Sequence, residues 1–158
     1  MEGNFSQAEI DLKLFRTWMK TTKALTDNAK KDIASHGLTI ENFMVLELLY
    51  NKGPHYIQEI SDKLMVPSGS ITYVVNKLEK KELVKRELDE ENKRYCRVLL
   101  TDKGQVLFDE IFPKHVDMIM ENLASLDNSQ KEQLKELLKI VGLAAKELSR
   151  TTSSEQVE

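Results

Sequence analysis

Apolar residues recur at helical spacing over the first part of the chain, at Ile10, Leu14, Trp18, Leu25, Ala29 and Ile33, with Leu12, Phe15 and Met19 widening the stripe. That period predicts a long helix. Ser6 and Glu9 form an S-x-x-E capping pattern that starts it near Gln7, and His36-Gly37 ends it. So wide a stripe requires cover from more than one neighbour. Thr39 caps a second helix, Ile40 to about Leu49, carrying Phe43, Leu46, Leu49 and Tyr50, and Asn51-Lys52-Gly53-Pro54 stops it. A short third helix follows, with Ile57, Ile60 and Leu64 on one face. Met65-Val66-Pro67 makes a tight connection, because proline lacks an N–H and disfavours helix in the residue before it.

The next segment sets propensity against period. Ile71-Thr72-Tyr73-Val74-Val75 is rich in strand formers. Ile71, Val74, Val75 and Leu78 nevertheless form an i, i+3, i+4, i+7 stripe, and Ser68 supplies a cap. The period predicts a helix from Pro67 or Ser68 to about Lys81. Leu83–Leu88 and Arg94–Leu100 read as two strands joined by the polar tip Asp89-Glu90-Glu91-Asn92-Lys93. Cys96, Val98 and Leu100 share the inward face of the second strand, opposite Tyr95 and Arg97. Thr101-Asp102 caps a fifth helix with Pro113 inside it, where a kink is expected. Asp127 and Gln130 open a last helix with Leu134, Leu137, Leu138, Val141, Ala145 and Leu148 close to a heptad. The tail 151–158 is polar and reads as disordered.

The predicted fold is mainly α with a small β-hairpin: a winged helix-turn-helix over 39–100, flanked by long helices at 7–36 and 101–148, all within one domain of 158 residues. The reading part alone does not cover the apolar stripes of the flanking helices. A second copy of the chain does, so a homodimer through those helices is expected.

Composition narrows the function. No apolar run approaches the ~20 residues of a membrane span, and no signal-peptide pattern opens the chain, so a cytoplasmic location with no membrane partner is expected. The single cysteine, Cys96, excludes an internal disulfide framework, and His36, His55 and His115 are too scattered for a metal cluster. No phosphate-binding glycine loop and no nucleophile–base set appears, so no enzyme, metal or cofactor is expected. The net charge of −3 counts against a nucleic-acid partner until it is divided along the chain. Lys52 to Arg97 holds ten Lys/Arg and eight Asp/Glu, or +2, and the remainder thirteen and eighteen, or −5. Distribution, rather than the sum, governs approach to DNA.

In a helix-turn-helix the second helix enters the major groove, and its outward face reads base edges. With the apolar stripe turned inward, Ser68, Gly69, Ser70, Thr72, Tyr73, Asn76, Lys77 and Lys80 face outward. Hydroxyls donate or accept, asparagine pairs bidentately with adenine, and lysines reach phosphate or guanine. Lys85, Arg86, Lys93, Arg94 and Arg97 make the hairpin basic, and an arginine at a wing tip suits the minor groove. Asp89, Glu90 and Glu91 orient Arg94 or face solvent. Cys96 reads as a packed thiol, with a redox-responsive thiol as the alternative. His36 and His115 read as surface or helix-end residues. A winged-helix module that binds protein instead of DNA is the competing reading.

Several of these stretches resemble the MarR family of bacterial transcription regulators. Ile57–Leu64 is similar to the family's third helix, and Pro67–Arg86 to its recognition helix running into the wing. Asn92-Lys93-Arg94 stands at the D-R-R position of the wing tip, with Asn92 in place of aspartate. Val98-Leu99-Leu100-Thr101-Asp102-Lys103-Gly104 matches the V-x-L-T-x-x-G junction. The resemblance implies a homodimer presenting two winged helices to a palindromic operator in double-stranded DNA, and repression relieved by a small aromatic or phenolic effector. It implies an effector pocket between the reading module and the dimer helices, for which Trp18, His36, Phe43 and His115 are candidates. The first helix lacks the cysteine of OhrR-type peroxide sensors, while Ile111-Phe112-Pro113-Lys114-His115 resembles the quinone- and phenol-responsive MhqR-like branch.

Overall fold

The computed structural model describes residues 2–89 and 95–154, and their order is helix α1 (Glu2–Ser35), α2 (Ile40–Lys52), strand β1 (His55–Tyr56), α3 (Ile57–Leu64), α4 (Ser68–Lys80), β2 (Val84–Leu88), β3 (Cys96–Leu100), α5 (Asp102–Asn122) and α6 (Asn128–Ser154). Two compact units form, Met1–Ile119 and Met120–Glu158. Among the described residues no helix is long and apolar enough to cross a membrane.

The core lies in the first unit. Phe43, Val45, Leu46 and Leu49 of α2 pack with Ile60 of α3 and with Ile71, Val74, Val75 and Leu78 of α4. Ile33, Leu38, Leu83, Val84, Val98, Phe108 and Ile111 complete the same cluster. Period thus prevails over propensity in α4: its β-branched residues are the ones the core takes in, and burying a side chain of that size is worth about 1.5–3 kcal/mol.

The ends of the elements show what directs each. Thr39 accepts a hydrogen bond from the Asn42 N–H and caps α2, which runs to Lys52, beyond the expected Leu49, before Gly53 ends it at φ 76°. Thr101 Oγ1 accepts from the Gly104 N–H at 3.0 Å and caps α5, which continues past Pro113. At α6 the capping box closes in both directions: the Gln130 N–H donates to Asp127 Oδ1 at 2.9 Å, and the Asp127 N–H to Gln130 Oε1 at 3.0 Å.

Three expectations are corrected. Ser6 does not start α1, which already runs from Glu2, because no residue between them interrupts the helical backbone. Ser68 is the first residue of α4 and not its cap; Pro67 occupies that place and makes no side-chain bond. Residues 151–154 continue α6, where a disordered tail was expected.

The hairpin is part of a larger sheet. Its three antiparallel strands run β1-β3-β2, with His55 opposite Val98 and Tyr56 opposite Arg97. On the other side of β3, Val84 faces Leu100 and Leu88 faces Cys96. The wing tip, residues 90–94, lies outside the described residues, and so do the expected contacts of Lys93 and Arg94.

Outside the core, two helices carry apolar residues that their own units leave uncovered. On α1 these include Ile10, Leu14 and Phe15, the last 63% exposed. On α6 they include Leu137, Ile140 and Leu143.

Candidate nucleic-acid interface

α4 separates its two faces as the period predicts. Ile71, Val74, Val75 and Leu78 are buried, while Ser68, Gly69, Ser70, Thr72, Tyr73, Asn76, Lys77 and Lys80 are exposed. Met65, in the left-handed region at φ 53°, and the following Val66-Pro67 turn the chain from α3 into α4. Ser61 Oγ holds that turn by donating to the Val66 carbonyl at 2.7 Å.

The outward side chains differ in what they offer. Thr72 Oγ1 donates to the Ser68 carbonyl at 2.9 Å, so its proton is spent within the helix, and it presents an acceptor and a methyl group. Lys77 Nζ stands 4.5 Å from the centre of the Tyr73 ring, a cation held over an aromatic face. Among the described residues neither Lys77 nor Lys80 has a carboxylate partner. The N-terminus of α2 approaches this face: Thr39, Glu41 and Asn42 line a groove of about 390 Å³ with Gly69, Ser70, Tyr73, Val74 and Lys77. Sequence reading assigned no part of the interface to α2, because its approach to α4 is set by packing and leaves no local pattern.

The wing strands are less cationic in effect than in composition. Lys85 Nζ lies 2.5 Å from Glu87, a hydrogen bond that raises the lysine pKa. Arg86, expected to contact DNA, is half-buried; it donates to Glu79 and, at 2.9 Å, to Asn76 Oδ1. Arg97 Nε pairs with Asp89 at 2.8 Å, and its pKa is raised by hydrogen bonding to Tyr56 and by the Asp89 charge. Asp89 is only 6% exposed and also accepts from Tyr56 Oη. It is therefore not a solvent-facing tip residue, and Arg94, which it was expected to orient, lies outside the described residues. Asp89 is a buried anion that ties β1 and β3 together at the tip end of β2.

Three of the four candidate effector residues meet. His115, 6% exposed and not a surface residue, places Nδ1 2.6 Å from Asp32 Oδ2, and Phe43 stands 4.5 Å from the His115 ring. His36 Nε2 is buried, 3.6 Å from Asp32 Oδ1. Trp18 lies fourteen positions before Asp32 on α1, roughly 21 Å along the axis at the helical rise, and does not join this cluster. Cys96 is a half-buried free thiol on the face shared with Val98.

The MarR family model matches residues 38–95, from just before α2 to the residue before β3. HTH-type transcriptional regulator MhqR of Bacillus subtilis is 43% identical over 139 residues, covering 88% of this chain and 96% of the relative. The uncharacterized HTH-type transcriptional regulator YkoM of the same organism is 35% identical, covering 94% of this chain and 97% of its own. The chain belongs to the MarR family. Its fold agrees with solved MarR structures: AbsC, a MarR regulator from Streptomyces coelicolor, superposes with a TM-score of 0.78 at 21% identity over 85% of this chain and 93% of the other. Sco3205 from the same organism, solved in complex with DNA, superposes at 0.77 with 22% identity over 85% and 90%.

In this MarR chain the L-T-x-x-G junction has a direct physical cause. Thr101 Oγ1 donates to the Glu82 carbonyl at 2.6 Å, and the Thr101 N–H to the Leu83 carbonyl at 3.1 Å. Gly104 sits so close that a Cβ on it would lie 2.0 Å from the Leu83 oxygen. The junction thereby locks the start of α5 onto the turn between α4 and β2, which fixes the wing relative to the reading helix.

Proposed function

We propose that this chain is a homodimeric, sequence-specific repressor that sets α4 of each protomer in the major groove of a palindromic operator and is released by a small aromatic or phenolic effector. The observation that carries the DNA-reading part is the outward face of α4. It offers hydroxyls, an amide and two cations without carboxylate partners among the described residues, on a helix whose opposite face is locked into the core. Sco3205, which shares the fold, is known in complex with DNA. The uncovered apolar residues of α1 and α6 support the dimer, since a second copy of the chain supplies cover that each unit lacks.

Effector release draws on the family resemblance and on the Asp32, His36, Phe43 and His115 cluster, where aromatic faces meet hydrogen-bonding groups suited to a phenol. A roughly hundredfold loss of DNA affinity needs about 2.7 kcal/mol of differential binding between the two states. The test is a gel-shift with the DNA flanking the coding region, using the wild type and Lys77→Ala with Arg94→Ala. The reading predicts loss of binding and a shallower salt dependence in the double variant, and loss of the wild-type shift on adding hydroquinone. An unchanged shift in the double variant refutes the assignment of these residues to DNA. An unchanged shift with hydroquinone and related phenols refutes the effector part alone.

A further inference from the structure

Asn76 and Arg86 were both candidate base or phosphate contacts, and the fold joins them to each other. The Arg86 guanidinium, reaching from β2, donates through Nη1 to Glu79 and through Nη2 to Asn76 Oδ1 at 2.9 Å. Both partners lie on α4, one helical turn apart, so a planar fork from the wing strand clamps the reading helix.

Arginine carries donors and no acceptor. The amide atom of Asn76 that faces Arg86 is therefore its oxygen, and the exposed part of the amide is the Nδ2 amino group. Pairing with adenine uses both ends of an asparagine amide, the oxygen accepting from N6 and the nitrogen donating to N7. Here the oxygen is engaged inside the protein.

Resting on the DNA-reading proposal above, we infer that Arg86 is a positioning residue that fixes the Asn76 amide as a hydrogen-bond donor toward the base edge. The bases that offer this donor an acceptor are guanine, with O6 and N7, thymine, with O4, and adenine, with N7. Cytosine, which presents only the N4 donor, is rejected. Glu79 neutralises Arg86 and holds it in place, so that it serves base choice without touching DNA.

The test is selection by the full chain from duplexes randomised over roughly two helical turns, followed by anisotropy titration of the selected sequences. The wild type is expected to select against cytosine at the position read by Asn76, binding it about tenfold more weakly than the three bases that present an acceptor. Asn76→Asp retains an acceptor for Arg86 and replaces the outward donor with an acceptor, so the same position should switch to the bases that present an amino donor, cytosine and adenine. Arg86→Met and Arg86→Lys should both relax that position to admit cytosine and leave the others unchanged, since the freed amide can turn its oxygen outward and a lysine ammonium lacks the planar fork that spans Glu79 and Asn76. Cytosine selected by the wild type at the position that Asn76→Asp alters would overturn the inference. So would an Arg86→Lys profile equal to wild type, which would reduce Arg86 to a plain charge. Should the Arg86 variants melt before binding can be measured, Asn76→Asp decides alone, and an unaltered profile overturns the inference. If the wild type selects no sequence at all, the DNA-reading proposal itself falls, and a clear wild-type motif separates that failure from this one.

Discussion

Replacing Gly104 with alanine inserts a carbon at a place where backbone meets backbone. The added Cβ would lie 2.0 Å from the Leu83 carbonyl oxygen, 3.0 Å from its carbon and 3.3 Å from Leu100 Cδ2. Ordinary non-bonded contacts sit at roughly 3.5 Å, so α5 and the β2 approach must part by more than roughly 1 Å. Two bonds cross that gap, from Thr101 Oγ1 to the Glu82 carbonyl and from the Thr101 N–H to the Leu83 carbonyl. Forced overpacking costs about 1–3 kcal/mol, and each weakened hydrogen bond about 1 kcal/mol. Alanine's better helix propensity returns at most about 1 kcal/mol. The net expectation is a destabilisation of about 2–4 kcal/mol. Urea denaturation of Gly104→Ala and wild type at one fixed protein concentration measures it. Gly69→Ala is the control: nothing lies within 4 Å of a Cβ there, so the same chemical change should leave stability equal or slightly raised. Equal midpoints for Gly104→Ala and wild type would show that the junction yields easily, and the account of how the wing is held would fail.

Other consequences follow from the same contacts. Glu82 holds φ at 61° just after α4, a left-handed conformation that costs a side-chain-bearing residue about 1 kcal/mol, so Glu82→Gly should raise the melting temperature despite losing its exposed pair with Lys103. A lower melting temperature would refute this. Tyr56→Phe removes a donor to buried Asp89 and should cost about 1–2 kcal/mol in denaturant titration; an unchanged midpoint would show that the other partners of Asp89, Arg97 among them, suffice to hold it. Lys77→Ala and Lys80→Ala should each weaken binding to all duplexes alike and lower the salt slope by about one, as read by anisotropy across a salt series. A change of base preference with an unchanged slope would instead make either lysine a base reader.

The helices and the outward face of α4 were legible because helical period is local. Ile71, Val74, Val75 and Leu78 declare the buried side, and the exposed set is what remains. The Thr39, Thr101 and Asp127 caps were legible for the same reason, each bond spanning three residues. Ser6 and Ser68 show the limit of that signal, since a capping residue type does not act as a cap when the helix begins elsewhere.

What remained hidden spans long separations in the chain. β1 is two residues long and owes its existence to Val98 and Arg97 of β3. Asp89 is buried because Tyr56, 33 residues away, reaches it, and His115 is buried because Asp32 and Phe43 close over it. Basic residues on the wing looked like DNA contacts by composition, yet Lys85, Arg86 and Arg97 all have carboxylate partners. The sequence by itself determined which residues face inward on each helix, because burial repeats with the helical period. Only the tertiary structure decided which of the outward charges are available and which way the Asn76 amide points, because those depend on partners brought together by the fold.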